Sequence, residues 1–269
     1  QDILIWELED VGDNWTRADA GGIAPIVAVP TTAGTGSEVG RASVILDEVA
    51  KVKKIIFHPQ MVPAIVILDP MVTTGLPPML TAATGMDALS HSLEAWCSPA
   101  YHPMAEGIAV EGIRLVREYL PTAVASGSDV EARTQMLVAS MMGATAFQRG
   151  LGAMHALAHP LGALYNAHHG TLNAVLMPYV LIANRQAIEP RIIHLARSVD
   201  IPNASFDSFL EWVLALRETV SIPQNLEDLG IDDNQADLIG KMAEVDPSGG
   251  TNPILFDASQ YQSIFMNAL

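Results

Sequence analysis

A single cysteine, Cys97, stands among 269 residues, so no disulfide can form within the chain, and a reducing compartment, the cytoplasm, is expected. Basic side chains are also scarce: 14 Lys and Arg against 30 Asp and Glu leave a formal charge of −16. Binding a phosphate backbone needs clustered cations, and no basic stripe is present, so the composition argues against a nucleic-acid partner. A membrane partner is equally unsupported. The longest stretch without Asp, Glu, Lys or Arg, 150–184, is broken by His155, His159, His168 and His169 and by Pro160 and Pro178, which reads as short buried helices joined by turns. The first fifteen residues are acidic rather than basic and then continuously apolar, which does not fit a secretion signal.

What the chain does have is apolar bulk. Hydrophobic residues make up 49% and charged residues only 16%, a balance that suits tightly packed, largely buried elements and rules out a disordered chain. The length allows one large domain or two smaller ones. Runs rich in Val and Ile at 25–29, 42–46, 54–57 and 64–68 predict strands. After Asp69-Pro70 the pattern turns helical, with helices expected at about 78–97, 103–125, 129–148, 153–165, 169–184, 186–199, 207–220, 234–244 and 258–269. Pro103 suits a first helical turn, Asp129 an N-cap, and Ser205 or Asp207 another. Trp96 and Cys97 read as packing at a helix end, Tyr101-His102-Pro103 as a turn before a helix, and His58 as a surface loop residue. The methionines around Met136, Met141 and Met142 read as core filler.

Two segments carry chemistry. In ATGMDALSHSLEAW, residues 83–96, Asp87 and His91 lie four apart and so share a helical face. In GAMHALAHPLGALYNAHHG, residues 152–170, His155 and His159 share another face, and His168-His169 precede Gly170. Any one of these is more often a satisfied core residue than a ligand. Together they are harder to bury without a common partner, because an aspartate and several imidazoles among Ala, Leu and Met each need satisfying. Imidazoles with one carboxylate suit Fe(II) or Zn(II) and not Ca(II) or Mg(II). A third segment, PTTAGTGSE at 30–38, follows the first strand. Its glycines permit close backbone approach to a phosphate, and Thr31, Thr32, Thr35 and Ser37 offer hydroxyls, although it is neither a GxGxxG nor a P-loop.

Taken in order, PTTAGTGSE, ILDP, ATGMDALSHSLEAW, MHALAHPLGALYN and HHG resemble the iron-containing (group III) alcohol dehydrogenase family over essentially the whole chain. The resemblance implies an α/β plus all-α fold of dehydroquinate synthase-like architecture: 1–70 would be the later part of an α/β dinucleotide-binding domain, and 71–269 an all-helical metal-binding and catalytic domain. It implies metal ligation by Asp87, His91, His155 and His169. His159 becomes a residue near nicotinamide and substrate, a proton relay. Cofactor contacts fall on Thr31, Thr35, Gly36 and Ser37, on Lys53, and on Val72 and Gly75. Members usually have Thr soon after GSE, where this chain has Gly40. The family's N-terminal strands, its pyrophosphate loop and its NAD-or-NADP-selecting acidic residue have no counterpart before Gln1. A homo-oligomer, a dimer, is also implied.

The expected chemistry is hydride transfer between an alcohol, or its aldehyde or ketone, and NAD or NADP, with Fe(II), or Zn(II), as Lewis acid. Two rivals remain. A metal-dependent hydrolase or lyase would use the same ligands on water or a hydroxylated substrate, and a non-enzyme would keep the metal but not the turnover.

Overall fold

The computed structural model describes Leu8, residues 12–48 and residues 52–269. Among the described residues, four strands come first. Val27–Ala28 (β1) pairs in parallel with Ile65–Val66 (β4), and Ala42–Asp47 (β2) forms an antiparallel hairpin with Val52–Phe57 (β3), with Ala42 opposite Phe57. The strands expected at 25–29 and 64–68 thus shrink to two residues each. Among the described residues each has only the other to pair with, and a ladder with one short neighbour satisfies few backbone groups.

Eight helices follow: α1 (Pro78–Cys97), α2 (Pro103–Ala125), α3 (Val130–Ala146), α4 (Ala153–Tyr165), α5 (His169–Ser198), α6 (Phe206–Thr219), α7 (Ala236–Glu244) and α8 (Ala258–Ala268). Their starts follow the capping chemistry. Asp129 accepts the Ala132 N–H, the His102 ring accepts that of Ala105, and Ser205 and Ser208 cap each other reciprocally. One expectation fails: 169–184 and 186–199 are a single helix, α5, with Pro178 and Pro190 inside it. The first part of α5 is buried almost all round and the second is only half covered, so the hydrophobic pattern changes where the backbone does not break. None of the helices among the described residues is long and apolar enough to cross a membrane.

At the centre lies α1. From position 81 on, every one of its residues except Thr84 is buried, and it packs against α2, α3 and α5. Its last turn ends on cations: Arg191 donates to the Trp96 carbonyl at 2.7 Å and stacks over the Trp96 ring, and Arg149 donates to the Ala95 carbonyl at 3.0 Å. These guanidiniums satisfy the carbonyls at the negative end of the helix. Cys97 sits in the same place, and burial pushes its thiol up to about 12, which keeps it protonated and inert at neutral pH.

A second expectation is corrected at His58. It is buried rather than a surface loop residue, meets the Trp15 ring edge-on, and its Nδ1 accepts the Gln60 N–H at 3.0 Å. The proline after it starts a short 3₁₀ turn that the imidazole caps, so the ring folds back over its own backbone.

Candidate functional site

Three helices deliver the titratable cluster. On α1, Asp87 and His91 occupy successive turns of one face, and Glu94 extends that face. On α4, His155 and His159 do the same. That helix ends at Asn166 in the left-handed conformation, φ 53°, which reverses the chain so that α5 can begin at His169 against α1 and α4. Gly170 sets how close α5 comes. A Cβ there would lie 2.3 Å from the Ala83 carbonyl oxygen and 3.1 Å from the Asp87 Cβ, so only glycine lets His169 sit beside Asp87.

The cluster that results is compact. Asp87, His91 and His155, all buried, offer ligand atoms within 4.8 Å of one another. His91 Nε2 and His169 Nε2 lie 3.9 and 3.7 Å from Asp87 Oδ1. The rings of His91 and His155 are stacked with centroids 4.9 Å apart, while those of His155 and His169 are tilted at 5.1 Å. Ligands about 2.0–2.2 Å from one ion stand about 3.0–3.5 Å apart, so these spans are slightly too long for hydrogen bonds and close to those of a shared cation. His91 Nδ1 is buried with no hydrogen-bond partner. The set of imidazole nitrogens and one carboxylate oxygen fits a divalent transition ion.

Electrostatics prepare the same atoms. Burial raises the Asp87 pKa, but the neighbouring His91, His169 and His155 and the hydrogen bond from Asn173 outweigh it and hold the carboxyl at about 2. His155 is driven well below the usual imidazole range, first by burial and then by His91, so it is neutral and has a lone pair to give. Its Nδ1 lies 2.6 Å from Glu94 Oε2, and Glu94 Oε1 accepts the Met154 N–H at 2.7 Å. Burial pushes Glu94 up to about 7 against the backbone N–H groups of Met154 and Gly152. A carboxyl holding Nδ1 of an imidazole fixes its tautomer and leaves Nε2 facing the cluster.

His159 stands at the rim. Its ring stacks on His169 at 5.5 Å, its Nδ1 lies 2.8 Å from Asp246 Oδ2, and it opens with Met242, Val245 and Pro247 onto a cleft of about 190 Å³. Nε2 is left as the nitrogen available there. Glu94, Asp246 and Asn173 were absent from the sequence expectations. For Glu94 a signal existed, because it lies seven residues from Asp87 on one face of an apolar helix; Asp246 has none, being 87 positions from His159.

The turn at 30–38 follows β1, and 70–75 follows β4. Because the two strands are parallel, both segments emerge at the carboxyl end of the pair, where open α/β sheets place ligands. Thr31, Thr32, Thr35 and Ser37 are exposed, as are Val72 and Gly75. Gly34 and Gly36 instead face inward. A Cβ on Gly34 would lie 2.9 Å from that of Thr84 on α1, and one on Gly36, at φ +63°, 2.4 Å from that of Ala144 on α3. The glycines therefore weld the turn to the helices while its hydroxyls look out. Between them Glu38 is buried, with its pKa raised by that burial. Lys53 belongs to β3, but its side chain lies outside the described residues.

Comparison with known proteins agrees in both halves of the chain. Residues 81–269 match the family described as "Fe-containing alcohol dehydrogenase family, C-terminal", and residues 2–70 that described as "Iron-containing alcohol dehydrogenase". A 4-hydroxybutyrate dehydrogenase of Cupriavidus necator is 39% identical over 91% of this chain and 66% of its own length. The crystal structure of a 1,3-propanediol oxidoreductase superposes with a TM-score of 0.87 at 38% identity, covering 91% of this chain and 66% of that one. The sulfoacetaldehyde reductase of Bifidobacterium kashiwanohense, solved in complex with NAD+, does so with a TM-score of 0.83 at 29% identity, covering 93% and 67%. The chain spans just under two thirds of the length of the curated relatives it matches. The α/β segment followed by an all-helical one is thus the architecture of these solved structures.

Proposed function

Because the chain belongs to the iron-containing alcohol dehydrogenase family, we propose that it transfers hydride between a primary or secondary alcohol, or the matching aldehyde or ketone, and NAD or NADP. The observation that carries the reading is the gathering of Asp87, His91 and His155 ligand atoms within 4.8 Å, with His169 Nε2 3.7 Å from Asp87. These four residues are the ligands of Fe(II), or of Zn(II), on this reading. A divalent ion bound there supplies Lewis acidity, which lowers the pKa of an alcohol hydroxyl and polarises a carbonyl.

The chain's own residues do the rest. Asp87, ionised throughout the neutral range, anchors the site with its charge, and Glu94 keeps the His155 ring in the tautomer that points Nε2 inward. His159, steadied through Nδ1 by Asp246, presents Nε2 to the cleft and moves the proton between substrate oxygen and solvent. Thr31, Thr32, Thr35, Gly36 and Ser37, with Val72 and Gly75, contact the dinucleotide at the carboxyl end of the parallel strands, and Lys53 of β3 is a further contact on this reading. On the same reading, 1–70 is the later part of an α/β dinucleotide-binding domain and 71–269 the helical metal-binding and catalytic domain, from whose start Val72 and Gly75 reach the cofactor. The buried, unpaired Cys97 suits a reducing compartment such as the cytoplasm, and self-association as a dimer is part of the same reading.

Metal analysis alongside an alcohol panel with both nicotinamide cofactors tests this. Turnover should require divalent metal and NAD(P), and both metal content and turnover should collapse in Asp87→Ala and His169→Ala. Full metal content and full turnover in those variants would falsify the assignment. Metal-dependent turnover that never consumes NAD(P) would transfer the site to the lyase or hydrolase class.

A further inference from the structure

Asn173 lies on α5 one turn beyond His169, wholly buried, and its amide nitrogen is among the proposed ligand atoms. Nδ2 donates to Asp87 Oδ1 at 2.9 Å and is 3.2 Å from both His155 Nε2 and His169 Nε2. The Glu94 contact at His155 Nδ1 leaves the lone pair of that ring on Nε2, directed at Asn173. An NH₂ group has two hydrogens and a partial positive charge, so it attracts the same carboxylate oxygen and imidazole lone pairs that a cation would. The amide oxygen of the same side chain, Oδ1, is buried with no hydrogen-bond partner. A side chain whose donor end is fully engaged and whose acceptor end is unsatisfied is held by its donor end alone.

The imidazole lone pairs that His155 and His169 would give an ion are the ones Nδ2 engages, together with Asp87 Oδ1, and an amide nitrogen has no lone pair of its own to give while its hydrogens repel a cation, so Nδ2 in this position and a bound ion compete for the same atoms. Resting on the metal-site reading above, we propose that Asn173 is a placeholder for the cation. In the metal-free protein its NH₂ keeps Asp87, His155 and His169 gathered, and it is displaced when the ion enters. Asn173 is then a positioning residue. It stabilises the empty site, and by linkage anything that stabilises only the empty form weakens binding of the ion.

The test is a chelator-competition titration with Zn²⁺ on wild type and Asn173→Ala, with thermal unfolding of each protein metal-free and Zn²⁺-loaded. The variant should lower the Tm of the metal-free protein more than that of the loaded one, and it should bind Zn²⁺ about tenfold tighter, the scale of one or two lost hydrogen bonds to charged or lone-pair acceptors. Equal Tm losses in both forms with unchanged affinity overturn the proposal in favour of plain packing. Weaker Zn²⁺ binding overturns it in favour of Oδ1 as a ligand. Should Asn173→Ala not fold, Asn173→Ser is read in the same way, and the wild-type side-chain ¹⁵N–¹H₂ resonance of Asn173 decides directly: displacement moves it on Zn²⁺ addition, and an unmoved resonance sinks the idea. Absence of any Zn²⁺ binding by wild type sinks the metal-site reading itself, and the placeholder with it; Zn²⁺ binding indifferent to Asn173 sinks the placeholder alone.

Discussion

The strand-bearing segment and the helical segment keep their apolar side chains in opposite places. On β1 and β4 and the residues beside them, Val27, Val29, Ile65, Val66 and Ile67 are exposed, Val27 and Ile65 by 56% each. Along α1, Met86, Ala88, Leu89 and Leu93 are wholly buried. The helical segment closes a core around α1 from its own residues, and that core can carry the desolvation of Asp87, His91 and His155 because α1, α4 and α5 pack together, while the His169 side chain stays about a third exposed. The strand segment among the described residues is two separate two-stranded pieces, tied to the helices where Gly34 and Gly36 press on α1 and α3. The buried cluster of Asp87, His91 and His155 lies in the helical segment, and the exposed hydroxyls of the 30–38 turn lie in the strand-bearing one.

The contrast can be broken or sharpened at four points. The largest effect belongs to the helical side: Asp87→Ala should weaken Zn²⁺ binding more than about 100-fold, because it removes the ligand charge and leaves the imidazoles without their common partner. Chelator competition measures it. Next, Glu94→Gln should cost about 10–100-fold in metal affinity by loosening the His155 tautomer, with the helical content by circular dichroism unchanged. Gly36→Ala probes the weld between the regions. At φ +63° and with a Cβ placed 2.4 Å from that of Ala144, it should destabilise the protein by about 1–3 kcal/mol in chemical denaturation. A shift below about 0.5 kcal/mol would mean that the turn moves independently of the helices. The smallest change is expected at Val27→Thr, within about 0.5 kcal/mol, as for any exposed position. A loss of 2 kcal/mol or more there would show that this face is covered in solution and that the contrast is one of assembly, not of sequence.

Much of the helical segment is legible without coordinates. The 3.6-residue period, Pro103, Asp129 and Ser205 place seven of the eight helices within a few residues, and the spacing of four puts Asp87 with His91 and His155 with His159. The single helix α5 was not legible. A change from an all-buried to a half-buried face looks like a break when only hydrophobicity is read, and two prolines inside it strengthen that impression. The burial of His58 was hidden for a related reason, since a histidine before proline in a loop gives no sign that Trp15 lies against its ring. In the turn at 30–38 the glycines looked like room for a phosphate, and their inward packing against Thr84 and Ala144 depends on helices 50 to 110 positions further along.

Within the site the division is sharper. Residue type and local spacing alone determined which side chains can ligate, and which pairs share a helical turn, because i,i+4 geometry is a property of one helix. Whether those pairs meet one another was decided only when α1, α4 and α5 packed together. The same packing brought Glu94 to His155 across 61 positions, Asp246 to His159 across 87 and Asn173 to Asp87 across 86. Periodicity carries information over a few turns; contacts at such separations depend on close-packed side chains and on glycines such as Gly170 that let two backbones meet. The sequence by itself determined the chemistry of the candidate ligands, and the tertiary structure decided their partners.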